Sequence, residues 1–141
     1  INVTDVNYPP SLTAANFNVQ ETATVGTLVG TITAFDPDTG QTLTFAITNG
    51  NTNNAFSINN NGQISVASTL NFNTQAVYNL TIEVSDNGNP IQTTSNSFTI
   101  NVLDAITPSD FPYQVNFQDP NTVPPSGWIR DFGQAYGART G

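Results

Sequence analysis

The stretch YNLTIEVSDNGNP, residues 78–90, decides how the rest of the chain is read. In Tyr78-Asn79-Leu80-Thr81-Ile82-Glu83-Val84 the apolar side chains fall at every second position. That period belongs to a strand with one face in a core and the other in water. The run stops at Ser85-Asp86-Asn87-Gly88, and an Asn-Gly pair tolerates the positive φ that tight turns need. Asp86 therefore stands where a strand gives way to a turn.

The same alternation recurs on both sides. Phe98, Ile100 and Val102 repeat it, as do Leu43, Phe45 and Ile47, and Leu28, Gly30, Ile32 and Ala34. Shorter runs lie at Phe17/Val19, Phe56/Ile58 and Ile64/Val66. Asp38-Thr39-Gly40, Asn49-Gly50 and Asn61-Gly62 supply turns between them, and no segment carries a helical stripe. Seven strands within about ninety residues predict an all-β fold, a seven-stranded Greek-key β-sandwich. Phe17, Phe45, Phe56, Tyr78 and Phe98 are expected at the centre of its core, leaving Tyr8 and Phe72 as exposed aromatics.

Composition narrows the function. The 141 residues include ten acids, two Lys or Arg, and no His, Cys or Met, for a net charge of −8. Nucleic acid is excluded as a partner by the lack of clustered cations, and an anionic membrane surface is disfavoured for the same reason. No run approaches the roughly 18 apolar residues that span a bilayer, so no membrane insertion is expected. Without Cys or His there are no disulfides, thiolate nucleophiles or zinc–thiolate sites. Abundant Asn and Thr in place of charge suit a secreted or cell-surface protein, a bacterial one in particular. The chain opens on Ile1 and reads as an excised or processed piece.

Past Leu103 the texture changes. Residues 105–127 hold five of the nine prolines, which disfavours continued sheet. The expected division is 1–7 as the end of a preceding unit and its linker, 8–105 as the domain, and 106–141 as a disordered linker or truncated start of another module. The phrase Ile1-Asn2-Val3-Thr4-Asp5 supports this, because Ile100-Asn101-Val102-Leu103-Asp104 nearly repeats it after a period of 99 residues. The second copy ends the last strand of the domain. The first therefore reads as the end of the same strand in a neighbour of a tandem array.

Asp36 and Asp38 lie two apart at a strand end, so in extended chain both can point to one face. Should that strand and the one ending at Asp86 finish at the same pole, three carboxylates converge there, with Asp5 and Asn7 entering from the linker. Oxygen ligands gathered without Lys, Arg or His are what Ca²⁺ takes, six to eight of them, whereas transition metals favour N or S ligands. A lone Asp-x-Asp, by contrast, more often caps a turn. An enzyme is not expected. Asp36 and Asp38 stand too close for a sugar-shaped cleft between paired carboxylates, and with no His, Cys or Lys nothing resembles a triad.

The ordered motifs Val19-Gln20-Glu21, Val25-Gly26-Thr27, Ala34-Phe35-Asp36-Pro37-Asp38, Phe56-Ser57-Ile58, Asn61-Gly62-Gln63-Ile64, residues 78–90 and Val102-x-Asp104 make residues 1–104 similar to a cadherin repeat. The resemblance implies a Ca²⁺-rigidified spacer or cell-adhesion module in a tandem extracellular array. Its partners would be neighbouring repeats of the parent chain, another cell-surface protein or a polysaccharide. Asp36 and Asp38 match the family's paired metal-binding aspartates and Asp86 its third acid. Asn7 matches the linker asparagine on the same ion, Asp5 the linker acid serving a neighbouring ion, and Glu21 a weaker ligand at the opposite pole. A backbone carbonyl near Gly40–Thr42 would be a further ligand. The chain also departs from the family pattern. Tyr8-Pro9 replaces a second Asp-Asn pair, Leu70-Asn71-Phe72-Asn73 carries amides where the family has acids, and Asp104-Ala105-Ile106 keeps only its first acid. One ion, or two, is expected at the pole facing the preceding repeat, and none or a weakly held one at the other.

In the tail, Phe111–Gln118 and Pro125–Gly133 resemble the opening of malectin-like carbohydrate-binding modules. This implies an alternative role as a polysaccharide-binding accessory module, with Trp128 and Phe117 as the contacting aromatics.

Overall fold

A computed structural model describes residues 6–106. The chain divides into two units, Ile1–Ala105 and Ile106–Gly141, and the first holds every described strand. Nine strands run in the order β1 (Ser11–Leu12), β2 (Asn16–Gln20), β3 (Leu28–Thr31), β4 (Ala34–Phe35), β5 (Thr44–Asn49), β6 (Phe56–Ile58), β7 (Gln63–Val66), β8 (Val77–Ser85) and β9 (Thr93–Leu103). One 3₁₀ turn, Thr52–Asn54, lies between β5 and β6. Among the described residues no helix is long and apolar enough to cross a membrane.

The strands form a four-stranded sheet of order β2-β9-β8-β5, a three-stranded sheet of order β3-β7-β6, and the short pair β1-β4. All neighbours are antiparallel except β2 and β9, which run parallel from Asn16 opposite Thr99 to Gln20 opposite Leu103. This is the expected β-sandwich. Its centre is the β8–β9 ladder, where Leu80 faces Phe98 and Tyr78 faces Ile100. Leu80, Ile82, Val84, Phe98 and Ile100 lose all contact with water, and Phe56, Ile64 and Val66 bury into the same cluster from the smaller sheet. Each such side chain stabilises the fold by about 1.5–3 kcal/mol relative to its exposed state. The Phe56 and Tyr78 rings meet edge to face with centroids 5.0 Å apart, an arrangement that aromatic quadrupoles favour.

The structure corrects the strand pattern in four places. The strand expected over Leu28–Ala34 is two strands, because Ile32 donates its N–H to the Gly62 carbonyl and the chain then crosses to pair β4 with β1. The register slips between Leu28 and Gly30, and this bulge turns Leu28 outward to 54% exposure while Ile32 stays buried. A bulge re-aims the residues on one side of it, which simple alternation cannot register. Gly30 is needed here for space, since a Cβ would collide with the Phe17 ring. Strand β9 begins five residues before Phe98, as Thr93–Ser97 pair with Thr81–Ser85 through the backbone alone. Finally, Phe72 packs against the core while Phe35 is exposed, and Phe17 and Phe45 are half-buried at the core margin.

Candidate metal centre

The end of β4 and the end of β8 deliver their acids to one pole. Strand β4 runs into Asp36, and the following turn holds Asp38 when its N–H donates to Asp36 Oδ1 at 2.8 Å. Strand β8 runs into Asp86, which is only 4% exposed. Asp86 Oδ1 accepts from the backbone N–H groups of Gly88 (3.0 Å) and Gln92 (2.9 Å). The Thr42 N–H donates to Asn87 Oδ1 at 2.8 Å and ties the two loops together.

Asn7 docks between them through its side-chain amide. Asn7 Nδ2 donates to Asp86 Oδ2 at 2.9 Å and to the Pro90 carbonyl at 2.7 Å, and Asn7 Oδ1 accepts from Gln41 Nε2 at 2.5 Å. The next residue repeats the attachment, with the Tyr8 N–H donating to Asp38 Oδ2 at 2.6 Å. A Cβ on Gly88 would fall on the Asn7 amide, so glycine at this position opens the seat that Asn7 occupies.

Burial pushes the Asp86 carboxyl up, but the N–H groups of Gln92 and Gly88 and the Asn7 amide outweigh it. The net position is below the ordinary carboxylate range, since donors to a carboxylate favour its charged form. Among the described residues the anion is thus held without a counter-charge: residues 6–106 contain no Lys, Arg or His, and both arginines, Arg130 and Arg139, lie outside them. Two acceptors at this pole, Asp36 Oδ2 and Gln41 Oε1, are buried with no hydrogen-bond partner. Buried polar atoms are partnered in the great majority of cases. Two bare oxygens on one acidic loop therefore fit a site for a hard cation with oxygen ligands.

The structure brings Asn7, Asp36, Asp38 and Asp86 into one hydrogen-bonded network. It does not stack the carboxylates on one another: among the described residues no three His, Cys, Asp or Glu side chains form a group able to hold a metal by themselves. Side-chain amides take part in the network as well, Asn7 and Gln41 among them. Gln41 is the member that sequence reasoning missed, although the further ligand was expected in the neighbouring backbone. Asp5, Trp128 and Phe117 lie outside the described residues.

Glu21 stands at the opposite pole and is employed differently. Its carboxylate accepts from the Phe72 N–H at 2.9 Å and the Ala105 N–H at 3.1 Å, one on each oxygen. These two donors, Phe72 foremost, lower the Glu21 carboxyl below the ordinary range, with the Asp104 side chain adding to them.

A family model for the cadherin domain matches residues 15–103. Protocadherin Fat 4 of Mus musculus is 39% identical over 110 residues, covering 74% of this chain and 2% of that protein. Cadherin-7 of Gallus gallus is 36% identical over 107 residues, covering 72% of this chain and 14% of that protein. The chain thus spans a small part of the curated relatives it matches. Among solved structures, the EC1-2 fragment of human Protocadherin-24 superposes with a TM-score of 0.63 at 26% identity, covering 70% of this chain and 53% of that one. With a matched domain that takes in both sheets and the loop ends bearing Asp36, Asp38 and Asp86, this chain belongs to the cadherin family.

Proposed function

We propose that residues 8–105 are one calcium-binding repeat of a tandem extracellular array, in which the cation fixes the linker from the preceding repeat and stiffens the array as a spacer or adhesion module. Residues 1–7 are the end of that preceding repeat and its linker, and residues 106–141 begin a different module. The carrying observation is the pair of buried, donor-less oxygens on Asp36 and Gln41, in a region without a single cationic side chain. Asp36, Asp38 and Asp86 would supply the carboxylates, Asn7 the linker amide oxygen, and Asp5 a ligand toward a neighbouring ion. Bound calcium supplies the positive charge that this pole lacks. The protein's own part is to seat Asn7 and Tyr8 between two loops, so that linker and domain share one set of ligands. The partners are neighbouring repeats and a further surface molecule, at the cell surface or in the extracellular space.

The experiment is a melting curve with calcium against the same sample in EDTA. An ion that binds only the folded form stabilises it by about 2.7 kcal/mol at a hundredfold excess over Kd, and extracellular modules bind calcium at about 10⁻⁴–10⁻³ M. The melting temperature is expected to rise over several millimolar calcium in the native chain and to stay flat in Asp38→Ala. A flat curve for the native chain would end the proposal.

A further inference from the structure

We infer that the side-chain oxygen of Gln41 is itself a ligand of the cation at this pole, in place of a backbone carbonyl from the same turn. The inference rests on the calcium reading and assigns a donor that the acidic motif does not contain.

The orientation of Gln41 follows from its neighbours. Asn7 Nδ2 faces two acceptors, Asp86 Oδ2 and the Pro90 carbonyl. Neither acceptor has a proton to offer while Asp86 is charged, so the Asn7 amide must point its nitrogen at them. Asn7 Oδ1 then faces Gln41 and needs a donor, which Gln41 Nε2 provides. With its nitrogen so committed, the Gln41 amide has one way to lie, and its oxygen turns to the buried position where no donor meets it. Turning the Gln41 amide over would set two oxygens against each other and bury an unused N–H₂ group, exchanging one unsatisfied atom for several. The oxygen is thus bare because of the network, and the network is built on the linker residue.

Asp36 arrives at the same condition from the other end of the turn. Its Oδ1 receives the Asp38 N–H while Oδ2 receives nothing. The Thr42 N–H, held by Asn87, pins the backbone just after Gln41. One short turn therefore begins and ends with a fixed, buried, donor-less oxygen, one charged and one neutral. Calcium takes carboxylate and amide oxygens together and tolerates irregular geometry, which suits this mixed pair.

The test is calcium titration calorimetry on the 141-residue chain, native and with Gln41→Leu, Gln41→Glu and Asp38→Ala. Melting temperatures in EDTA report separately on folding. Gln41→Leu removes both the oxygen and the donor to Asn7, and is expected to weaken calcium by about tenfold or more. Gln41→Glu keeps an oxygen and adds charge while losing the donor, and is expected to bind at least as tightly as the native chain. Native-like affinity in Gln41→Leu would overturn the inference and leave the calcium site standing. Equal weakening in Gln41→Leu and Gln41→Glu would also overturn it, since the contact to Asn7 would then be what matters. Absence of binding in the native chain would remove the calcium reading, and this inference with it. Should Gln41→Leu fail to fold, Gln41→Glu decides alone: tighter or equal binding supports the ligand role and weaker binding refutes it.

Discussion

At one pole of the sandwich Asp86 meets the Asn7 amide, Asp38 the Tyr8 N–H and Asp36 the Asp38 N–H; at the other Glu21 meets the backbone of Phe72 and Ala105. Both poles hold acids, and no Lys, Arg or His lies within residues 6–106 to neutralise them. The difference lies in the supply of N–H donors. Glu21 receives one on each oxygen, so its charge is solvated by the chain that turns past it. At the Asp86 pole the donors run out before the acceptors do, and two buried oxygens remain. A carboxylate by itself therefore says little about metal binding. The balance of donors and acceptors around it says more, and the two ends of one domain differ in that balance.

The widest gap between the poles should appear in calcium affinity. Asp86→Asn exchanges a charged acceptor at the end of β8 for a neutral amide and is expected to abolish the calcium-induced rise in melting temperature. Glu21→Gln removes an acceptor from either Phe72 or Ala105 and is expected to lower the melting temperature in EDTA while preserving the calcium increment. Differential scanning calorimetry of both variants, with and without calcium, checks the pair. Loss of the calcium increment in Glu21→Gln would erase the distinction between the two ends.

How much of this was legible in the sequence depends on which signals are local. Strands β8 and β9 announce themselves because Leu80, Ile82, Ile100 and Val102 alternate and all bury. Asp86 was legible for the same reason, standing where that alternation ends. Gln41 was not, because its role arises from Asn7, 34 residues earlier in the chain, and no short pattern encodes that contact. The outward turn of Leu28 depends on a bulge against Ser65. The first half of β9 is polar on both faces, so only pairing with β8 reveals it. Phe72 reads as exposed in a stretch rich in amides, yet its N–H holds Glu21 and its ring packs on the core. Periodicity reports burial within a strand, and it is silent wherever two distant segments decide the outcome.

The seat for Asn7 can be narrowed without changing Asn7 itself or any of the three aspartates. Gly88→Ala places a methyl group where the Asn7 amide now lies. Overfilled sites of this kind typically lose about 1–3 kcal/mol, and displacement of a group that orients ligands costs about 10–100-fold in metal affinity. The variant is expected to melt lower in EDTA and to bind calcium at least about tenfold more weakly, by calorimetry. An added bulk at the other pole, Ala105→Val beside Glu21, leaves Gly88 and Asn7 unchanged and should leave calcium affinity as it was. Unchanged affinity in Gly88→Ala would show that Asn7 can ligate from another position.

Acid should separate the poles least, because both carry carboxylates held below their ordinary range. At Asp86 burial acts upward and is outweighed by Gln92, Gly88 and Asn7, while Glu21 is lowered by Phe72 and Ala105. A group whose folded pKa is depressed binds protons more readily in the unfolded chain, so its stabilising effect is full above the unfolded value. That effect is lost as pH falls from the ordinary carboxylate range, about 4, down through the folded value. In EDTA the melting temperature should therefore hold from neutral pH to about 5 and then decline. Glu21→Gln and Asp86→Asn should each start lower at neutral pH and decline less steeply, since each removes one depressed group. With calcium present the end of the decline should shift to lower pH in the native chain, because the cation competes with protons for Asp86 and depresses its folded value further. Glu21→Gln should retain that shift while Asp86→Asn loses it. A calcium-dependent shift that survives in Asp86→Asn would place the cation away from the end of β8.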